Sequence, residues 1–113
     1  NASVGQRRGE RVRLDEMAEQ IEAVANRYEE KFDITRDDDW YVFKLQEEFG
    51  ELTQKFLMMS NRARQKGFMA EEIRRQFEDE VADTFALVVL LARHFGIDLD
   101  AAVDRKWFKY LKE

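Results

Sequence analysis

The sequence predicts an all-α fold: a protomer of four antiparallel helices arranged like a bundle, assembling into a helical homodimer or a dimer of dimers. The 113 residues include no proline and only five glycines, so few residues interrupt a helix. Strong helix formers such as Glu, Lys, Arg, Leu and Ala are abundant. The apolar residues recur at spacings of three and four, as they do on one face of a helix.

The first half of the chain contains two predicted helices. The first runs from about residue 14 to residue 32, and its apolar stripe consists of Met17, Ile21, Val24, Ala25 and Tyr28. The second runs from residue 38 to about residue 65 and ends before Gly67. Either Thr35 or Asp37 can cap its N-terminus.

The second half contains two more. The third helix runs from about residue 70 to residue 95 and ends at Gly96, a residue type that favours helix termination. The fourth runs from residue 99 to residue 112, and Asp98 caps it. Short links between consecutive helices favour antiparallel neighbours, which predicts a bundle.

The third helix is apolar on every side from residue 85 to residue 92. A helix without a polar face must be enclosed all round. Three other helices from one short chain are too few to enclose it. We therefore expect a second copy of the chain to cover part of this segment, with the third helix near the interface of a homodimer or homotetramer.

Composition excludes several functional classes. The formal net charge of −5 argues against general binding of a nucleic acid polymer, which favours a basic surface. No apolar run is long enough to span a membrane, and there is no cysteine for disulfides, thiolate ligands or nucleophilic catalysis. The expected location is the cytoplasm. Residues 1–12, which contain the arginine cluster, are expected to be a flexible tail, and residues 13–113 a single helical domain.

Two groups of acidic residues stand out on the second and third helices. Glu48 and Glu51 lie three residues apart on one helix, and Glu80 and Asp83 three apart on the next, so each pair shares a helix face. The stripe of Glu80 and Asp83 becomes apolar one turn later, which predicts that both side chains point inward.

Converging carboxylates repel one another, so they are either protonated or neutralised by a cation. Oxygen ligands without His or Cys select a hard ion, Mg²⁺ or Mn²⁺. Gly50 lies among these acids, and a glycine inside a helix costs about 1 kcal/mol relative to alanine, which suggests a close approach to the backbone there. The same spacing also fits solvated acids paired with lysines, as Glu51 with Lys55. Spacing alone leaves both interpretations open.

Three segments follow one another along the chain: Lys44-Leu-Gln-Glu-Glu-Phe-Gly-Glu-Leu52, Asp79-Glu-Val-Ala-Asp83 and Gly96-Ile-Asp-Leu-Asp-Ala-Ala-Val103. In this order they resemble the MazG-like, all-α nucleotide pyrophosphatase superfamily. The resemblance extends from about residue 39 to residue 109. It implies that residues 13–113 are a MazG-like helical domain. The implied activity is hydrolysis of a nucleoside triphosphate, NTP or dNTP, to a monophosphate and pyrophosphate, in the manner of nucleotide-pool house-cleaning.

The resemblance also implies roles for individual residues. The Mg²⁺ ligands, with Mn²⁺ as a substitute, would be Glu48, Glu51, Glu80 and Asp83. Glu47 would be the catalytic carboxylate that orients or deprotonates the attacking water. The family also tends to place a lysine and an asparagine on the last helix near the phosphates. Here Lys106 and Lys109 are the candidate phosphate contacts, but Tyr110 stands where the asparagine is expected.

Aromatic residues at the start of the second helix offer a surface for a nucleotide base, and Trp40 is the candidate for base stacking, whereas Phe43 is expected in the core. His94 is expected to interact with the helix C-terminus, not to act in catalysis. Two alternatives stay open: a phosphoribosyl-ATP pyrophosphatase with the same helical architecture, and a non-catalytic helical dimer that serves as a partner-binding module.

Overall fold

The computed structural model describes residues 13–112 and shows a helical chain without strands in that range. Its elements are α1 (Leu14–Phe32), α2 (Asp38–Met59), α3 (Ala70–His94), α4 (Leu99–Lys106) and a 3₁₀ helix (Phe108–Lys112). The prediction of an all-α chain with four helices is confirmed. The predicted flexible tail, residues 1–12, lies outside the described residues.

The chain divides into two compact units, the first ending at Thr35 and the second beginning at Arg36. The first unit contains α1, whose opening turn is stabilised by Glu16: its Oε1 accepts a hydrogen bond from the backbone N–H of Arg13 at 3.2 Å. The helix ends at Asp33, which adopts the left-handed conformation with φ 52°. A single domain over residues 13–113 stays a prediction.

In the second unit, α2 and α3 form an antiparallel pair. His94 Nε2 lies 2.6 Å from Asp38 Oδ1, joining the end of α3 to the start of α2. Toward the other end of the pair, the rings of Phe56 and Phe77 are 6.4 Å apart. The buried side chains of this unit come from α2 and α3: the apolar ones are Tyr41, Met58, Ile73, Val89, Leu90 and Ala92, and the charged one is Glu48. The pairing therefore fixes which turns of the two helices face each other.

The caps of α2 and α4 explain where these helices begin. Asp37 Oδ1 accepts a hydrogen bond from the backbone N–H of Trp40 at 2.8 Å, so Asp37, and not Thr35, is the cap of α2. Asp98 Oδ1 accepts from the backbone N–H of Ala101 at 3.0 Å. The predicted cap of α4 is confirmed.

The predicted end of α2 near residue 65 is wrong. The helix ends at Met59, and Asn61 adopts a left-handed conformation with φ 63°, which a continuing helix does not allow. The N–H groups of Arg62 and Ala63 both donate to Leu57 O, at 2.8 and 3.1 Å. Because these bonds satisfy a carbonyl that α2 leaves free at its C-terminus, the chain can turn here without forming another helical turn.

The last predicted helix is also shorter than expected. The α-helix ends at Lys106, six residues before the predicted terminus at residue 112, and residues 108–112 form a 3₁₀ helix. Tightening into 3₁₀ geometry is common at helix C-termini, where carbonyls lack partners. The predicted boundary at Gly96 agrees with the structure: α3 ends at His94, and Gly96 adopts φ 67°.

Candidate metal centre

The antiparallel pairing brings the acidic residues of α2 and α3 together. Carboxylate oxygens of Glu47, Glu48 and Glu51 lie within 4.8 Å of one another, and so do those of Glu48, Glu80 and Asp83. We call these the α2 trio and the α2–α3 trio. Glu48 belongs to both, so one carboxylate links the acids of the two helices. Each trio has the oxygen-only composition that a hard divalent cation prefers.

Glu48 is the most enclosed of these acids, with its side chain 11% exposed. Burial raises the pKa of its carboxyl group above the ordinary value, and the charges of Glu51, Asp83 and Glu80 raise it further. The ammonium group of Lys44 acts in the opposite direction. The ionised form of Glu48 is therefore disfavoured unless another positive charge is present.

Glu80 has the same character. Burial is the largest influence that raises the pKa of its carboxyl group, followed by the charges of Glu51 and Asp83. Lys55 and a hydrogen bond with Glu48 lower that pKa. Two carboxyl groups share a hydrogen bond only if one holds a proton, and a bound cation would relieve the same repulsion.

The residues fit a divalent cation by a further observation. Glu80 Oε1 is buried and has no hydrogen-bond partner in the described part of the chain. A buried carboxylate oxygen without a partner is costly, and a cation is a partner that would satisfy it. The acids of either trio could thus hold the ion, and the predicted ligand set of Glu48, Glu51, Glu80 and Asp83 draws on both trios and stays a prediction.

Glu47 is more exposed than Glu48, Glu51 and Glu80, and a lysine forms a hydrogen bond with it. Its side chain is 56% exposed, and its Oε1 accepts a hydrogen bond from Lys44 Nζ at 2.7 Å. The same Nζ lies 3.8 Å from Glu48 Oε2. The hydrogen bond with Glu47 raises the pKa of Lys44, so the ammonium group remains charged beside the trio.

Two predictions about this region are wrong, the burial of Asp83 and that of Phe43, which is 68% exposed and not in the core. Asp83 does not point into the interior; it is exposed, because its position on α3 lies at the edge of the face that packs on α2. At Gly50, a Cβ atom would have no neighbour within 4 Å among the described atoms outside the adjacent backbone of α2, so the close approach expected there stays a prediction. The glycine is on the exposed side of α2, so packing against α3 does not require it.

Among the described residues, the predicted substrate-binding residues make no recorded contact with the acids of either trio. Lys106 is the exposed last residue of α4, and Lys109, in the 3₁₀ helix, has its Nζ 5.1 Å from the ring centroid of Tyr110. Trp40 is half-buried in the first turn of α2, with its ring edge-on to Tyr41 at 5.1 Å. The roles of these three residues in substrate binding stay predictions.

The sequence interpretation did not anticipate Lys44 as a neighbour of the acids. Its spacing of three and four residues from Glu47 and Glu48 is a signal that could have identified it. It also missed the partners of His94, which is stacked on Tyr41 with centroids 4.3 Å apart and paired with Asp38. That contact depends on the register between α2 and α3, and no local pattern reports it.

Comparison with known families adds a finding of a different kind. A family model described as the MazG-like family matches residues 46–113, which is more than half of the chain and includes all five acids of the trios. The chain belongs to the MazG-like family. Comparisons with curated proteins and with solved structures gave no match.

Membership in the MazG-like family associates the chain with nucleotide pyrophosphohydrolase activity and with divalent metal. The family match begins after Trp40 and Lys44, so it provides no information on either residue. In the described range no helix has both the length and the apolar character needed to cross a membrane.

Proposed function

We propose that the chain is a nucleoside triphosphate pyrophosphohydrolase that uses Mg²⁺, for which Mn²⁺ can substitute, to cleave the α–β phosphoanhydride. The products are a nucleoside monophosphate and pyrophosphate. The observation that supports this most is the convergence of five carboxylates from α2 and α3 in two trios that share Glu48, with a buried oxygen of Glu80 that has no partner among the described residues. Family membership supports the same reaction class.

The acids divide into two roles in this proposal. Glu48, Glu51, Glu80 and Asp83 hold the metal ion, which, when bound, supplies neutralisation of phosphate charge and a water molecule of lowered pKa. The carboxylates cannot contact the phosphates directly, because like charges repel. The metal site is therefore also the binding site for the triphosphate.

Glu47 is proposed to orient the attacking water and to accept its proton. Its carboxylate lies beside Glu48 and Glu51 yet remains largely exposed, so it can be reached by water. A new bond forms between the water oxygen and the α phosphorus, and the bond between the α phosphorus and the oxygen that bridges it to the β phosphorus breaks. Pyrophosphate leaves with the electron pair of that bond.

Lys106 and Lys109 are proposed to contact the phosphates, and Trp40 to stack on the base. The expected partners are the nucleotide and a second copy of the chain. A matched test is substitution of Lys106 or Lys109 by Met, which should raise KM for the nucleotide while leaving Mn²⁺ binding unchanged. Unchanged KM in both variants would remove these lysines from the proposal.

The decisive experiment is pyrophosphate release from a panel of NTPs and dNTPs, with Mg²⁺ and with chelator, using Glu48→Gln as the control protein. The expected result is metal-dependent release of pyrophosphate and monophosphate in equal amounts from at least one nucleotide. Orthophosphate as the first product would contradict cleavage at the α–β bond.

Two other outcomes would identify the alternatives. Turnover of phosphoribosyl-ATP, with no release from the NTP panel, would indicate the related pyrophosphatase. No turnover of any of these compounds, with a melting temperature that does not respond to Mg²⁺ or nucleotide, would indicate a non-catalytic helical module.

A further inference from the structure

In the reaction proposed above, one acid of the α2 trio acts as the base while the other two bind the metal. Glu47, Glu48 and Glu51 all place carboxylate oxygens within 4.8 Å of one another. Any of them can therefore bind a cation at that position. If Glu47 coordinates the metal, the cation neutralises part of its charge, and Glu47 becomes a weaker proton acceptor for the attacking water. Some feature of the chain must keep these two uses of a carboxylate separate.

Lys44 is placed to do this. Its Nζ donates a hydrogen bond to Glu47 Oε1 at 2.7 Å and lies 3.8 Å from Glu48 Oε2. Within the described residues, no other cation lies within salt-bridge distance of either trio. Lys44 contacts Glu47 at hydrogen-bond distance and Glu48 only at the limit of an ion pair, so it engages the two carboxylates unequally.

A purely structural role accounts poorly for this contact. The side chains of Lys44 and Glu47 are 37% and 56% exposed, and a pair of this exposure adds little to folding stability because water screens it. The Lys44 charge is one of the few that favours the ionised form of the buried Glu48.

We propose that Lys44 is a positioning residue that holds the Glu47 carboxylate out of the metal cluster and so reserves it for the attacking water. The inference rests on the proposed function, in which Glu47 is the base. Lys44 occupies one Glu47 oxygen and partly neutralises its charge. The cation then has Glu48, Glu51 and the two acids of α3 as its ligands, and Glu47 stays beside the cluster as a directed acceptor.

The test compares Lys44→Met, which keeps most of the aliphatic stem, with Lys44→Arg, which keeps the charge. Arg74→Met is the matched control, because Arg74 Nε forms a similar exposed pair with Glu78 on α3 at 3.0 Å. Each protein is titrated with Mn²⁺ alone by calorimetry and assayed for kcat and KM on the nucleotide that the wild type hydrolyses.

We expect Lys44→Met to bind Mn²⁺ roughly two- to fivefold more tightly, because the cluster becomes more negative and Glu47 joins it. Its kcat should fall by about tenfold or more with KM little changed, as expected when a general base is misplaced. Lys44→Arg should retain most of the wild-type kcat. Adding Glu47→Gln to Lys44→Met should remove the gain in Mn²⁺ affinity.

Identical behaviour of Lys44→Met and Arg74→Met in both measurements would overturn the inference and leave Lys44 as a surface ion pair. Weaker Mn²⁺ binding by Lys44→Met would also overturn it. A wild-type protein that hydrolyses no nucleotide overturns the proposed function instead, and the Mn²⁺ titration with and without Glu47→Gln still decides whether Lys44 keeps Glu47 away from the cation.

Discussion

Glu48 and Glu80 are carboxylates whose ionised form is disfavoured by the protein around them. Burial raises the pKa of both, and each is close to other acids. In the absence of metal, these charges oppose folding, whereas in its presence they are ligands. Replacing one of these acids by its amide should therefore affect stability and activity in opposite directions.

Glu48→Gln is predicted to reduce hydrolysis at least about a hundredfold, the size of effect seen when one preorganised electrostatic group is lost. In chelator, the variant should be as stable as the wild type or more stable, because one buried charge has been removed. Thermal melting in chelator and a pyrophosphate-release assay measure the two quantities. Glu78→Gln, which changes an exposed acid on α3 outside the trios, should change neither activity nor melting by a comparable amount.

Asp83→Asn should separate the loss of hydrolysis from the gain in stability further. Asp83 is exposed, so its charge opposes folding less than that of Glu48. We expect the same loss of hydrolysis with a smaller change of melting temperature in chelator. An Asp83→Asn variant with full activity would remove Asp83 from the ligand set.

For single residues, the sequence predicted which acids share a helix face, but it did not predict how exposed each side chain is. A spacing of three residues predicts that Glu48 and Glu51 share a face, and the same is true of Glu80 and Asp83. The exposure of Asp83 depends on where the edge of the α2–α3 contact falls. A helix pattern defines a face only to within the width of one side chain, so a residue at the boundary is assigned to either side.

At the scale of helices, beginnings were more predictable than ends. Asp37 and Asp98 cap α2 and α4 through bonds to nearby backbone N–H groups, which are local and visible in sequence. The end of α2 at Met59 has a weaker signal, because Asn favours the left-handed conformation less strongly than Gly does. It depends on Asn61 in a left-handed conformation and on Gln65, whose Nε2 donates to Met58 O at 3.2 Å. Residues 60–65 have a helix-compatible composition, so propensity alone extended the helix.

Gly50 offers a prediction at this scale. Apart from the adjacent backbone of α2, no described atom lies within 4 Å of the position that a Cβ would occupy, so Gly50→Ala can be accommodated without a clash. Alanine should stabilise α2 by roughly 0.5–1 kcal/mol, because it restricts the unfolded chain and favours the helix. Chemical denaturation of the monodisperse protein in chelator measures the change. Gln46→Ala, at another exposed position of α2, is the control and should have a much smaller effect.

The activity of Gly50→Ala shows whether a molecule outside the single chain contacts the backbone at that position. Unchanged hydrolysis together with higher stability means that the glycine has no role in catalysis. Destabilisation of the variant would contradict the open surroundings of Gly50 in the structure.

At the scale of the whole molecule, the chain exposes more large apolar side chains than isolated surface residues would explain. Val81, Phe85 and Val88 are exposed on α3 at spacings of four and three residues, so they form one stripe. Phe49 and Phe56 on α2 lie seven residues apart and are also exposed. Within the segment 85–92, Val89, Leu90 and Ala92 are buried, so one chain encloses this segment only in part.

The prediction of a homodimer or dimer of dimers follows from these stripes and is checked by light scattering coupled to size exclusion. We expect a mass of two or four chains at micromolar concentration, because contiguous apolar surface on a soluble protein usually marks an interface. Phe85 is 44% exposed, so Phe85→Glu should leave the helix intact and move the mass toward that of one chain. Phe85→Leu, which keeps the apolar character, should not. A wild-type mass of one chain at tens of micromolar would contradict the assembly, whereas dissociation of Phe85→Glu with unchanged circular dichroism would place α3 at the interface.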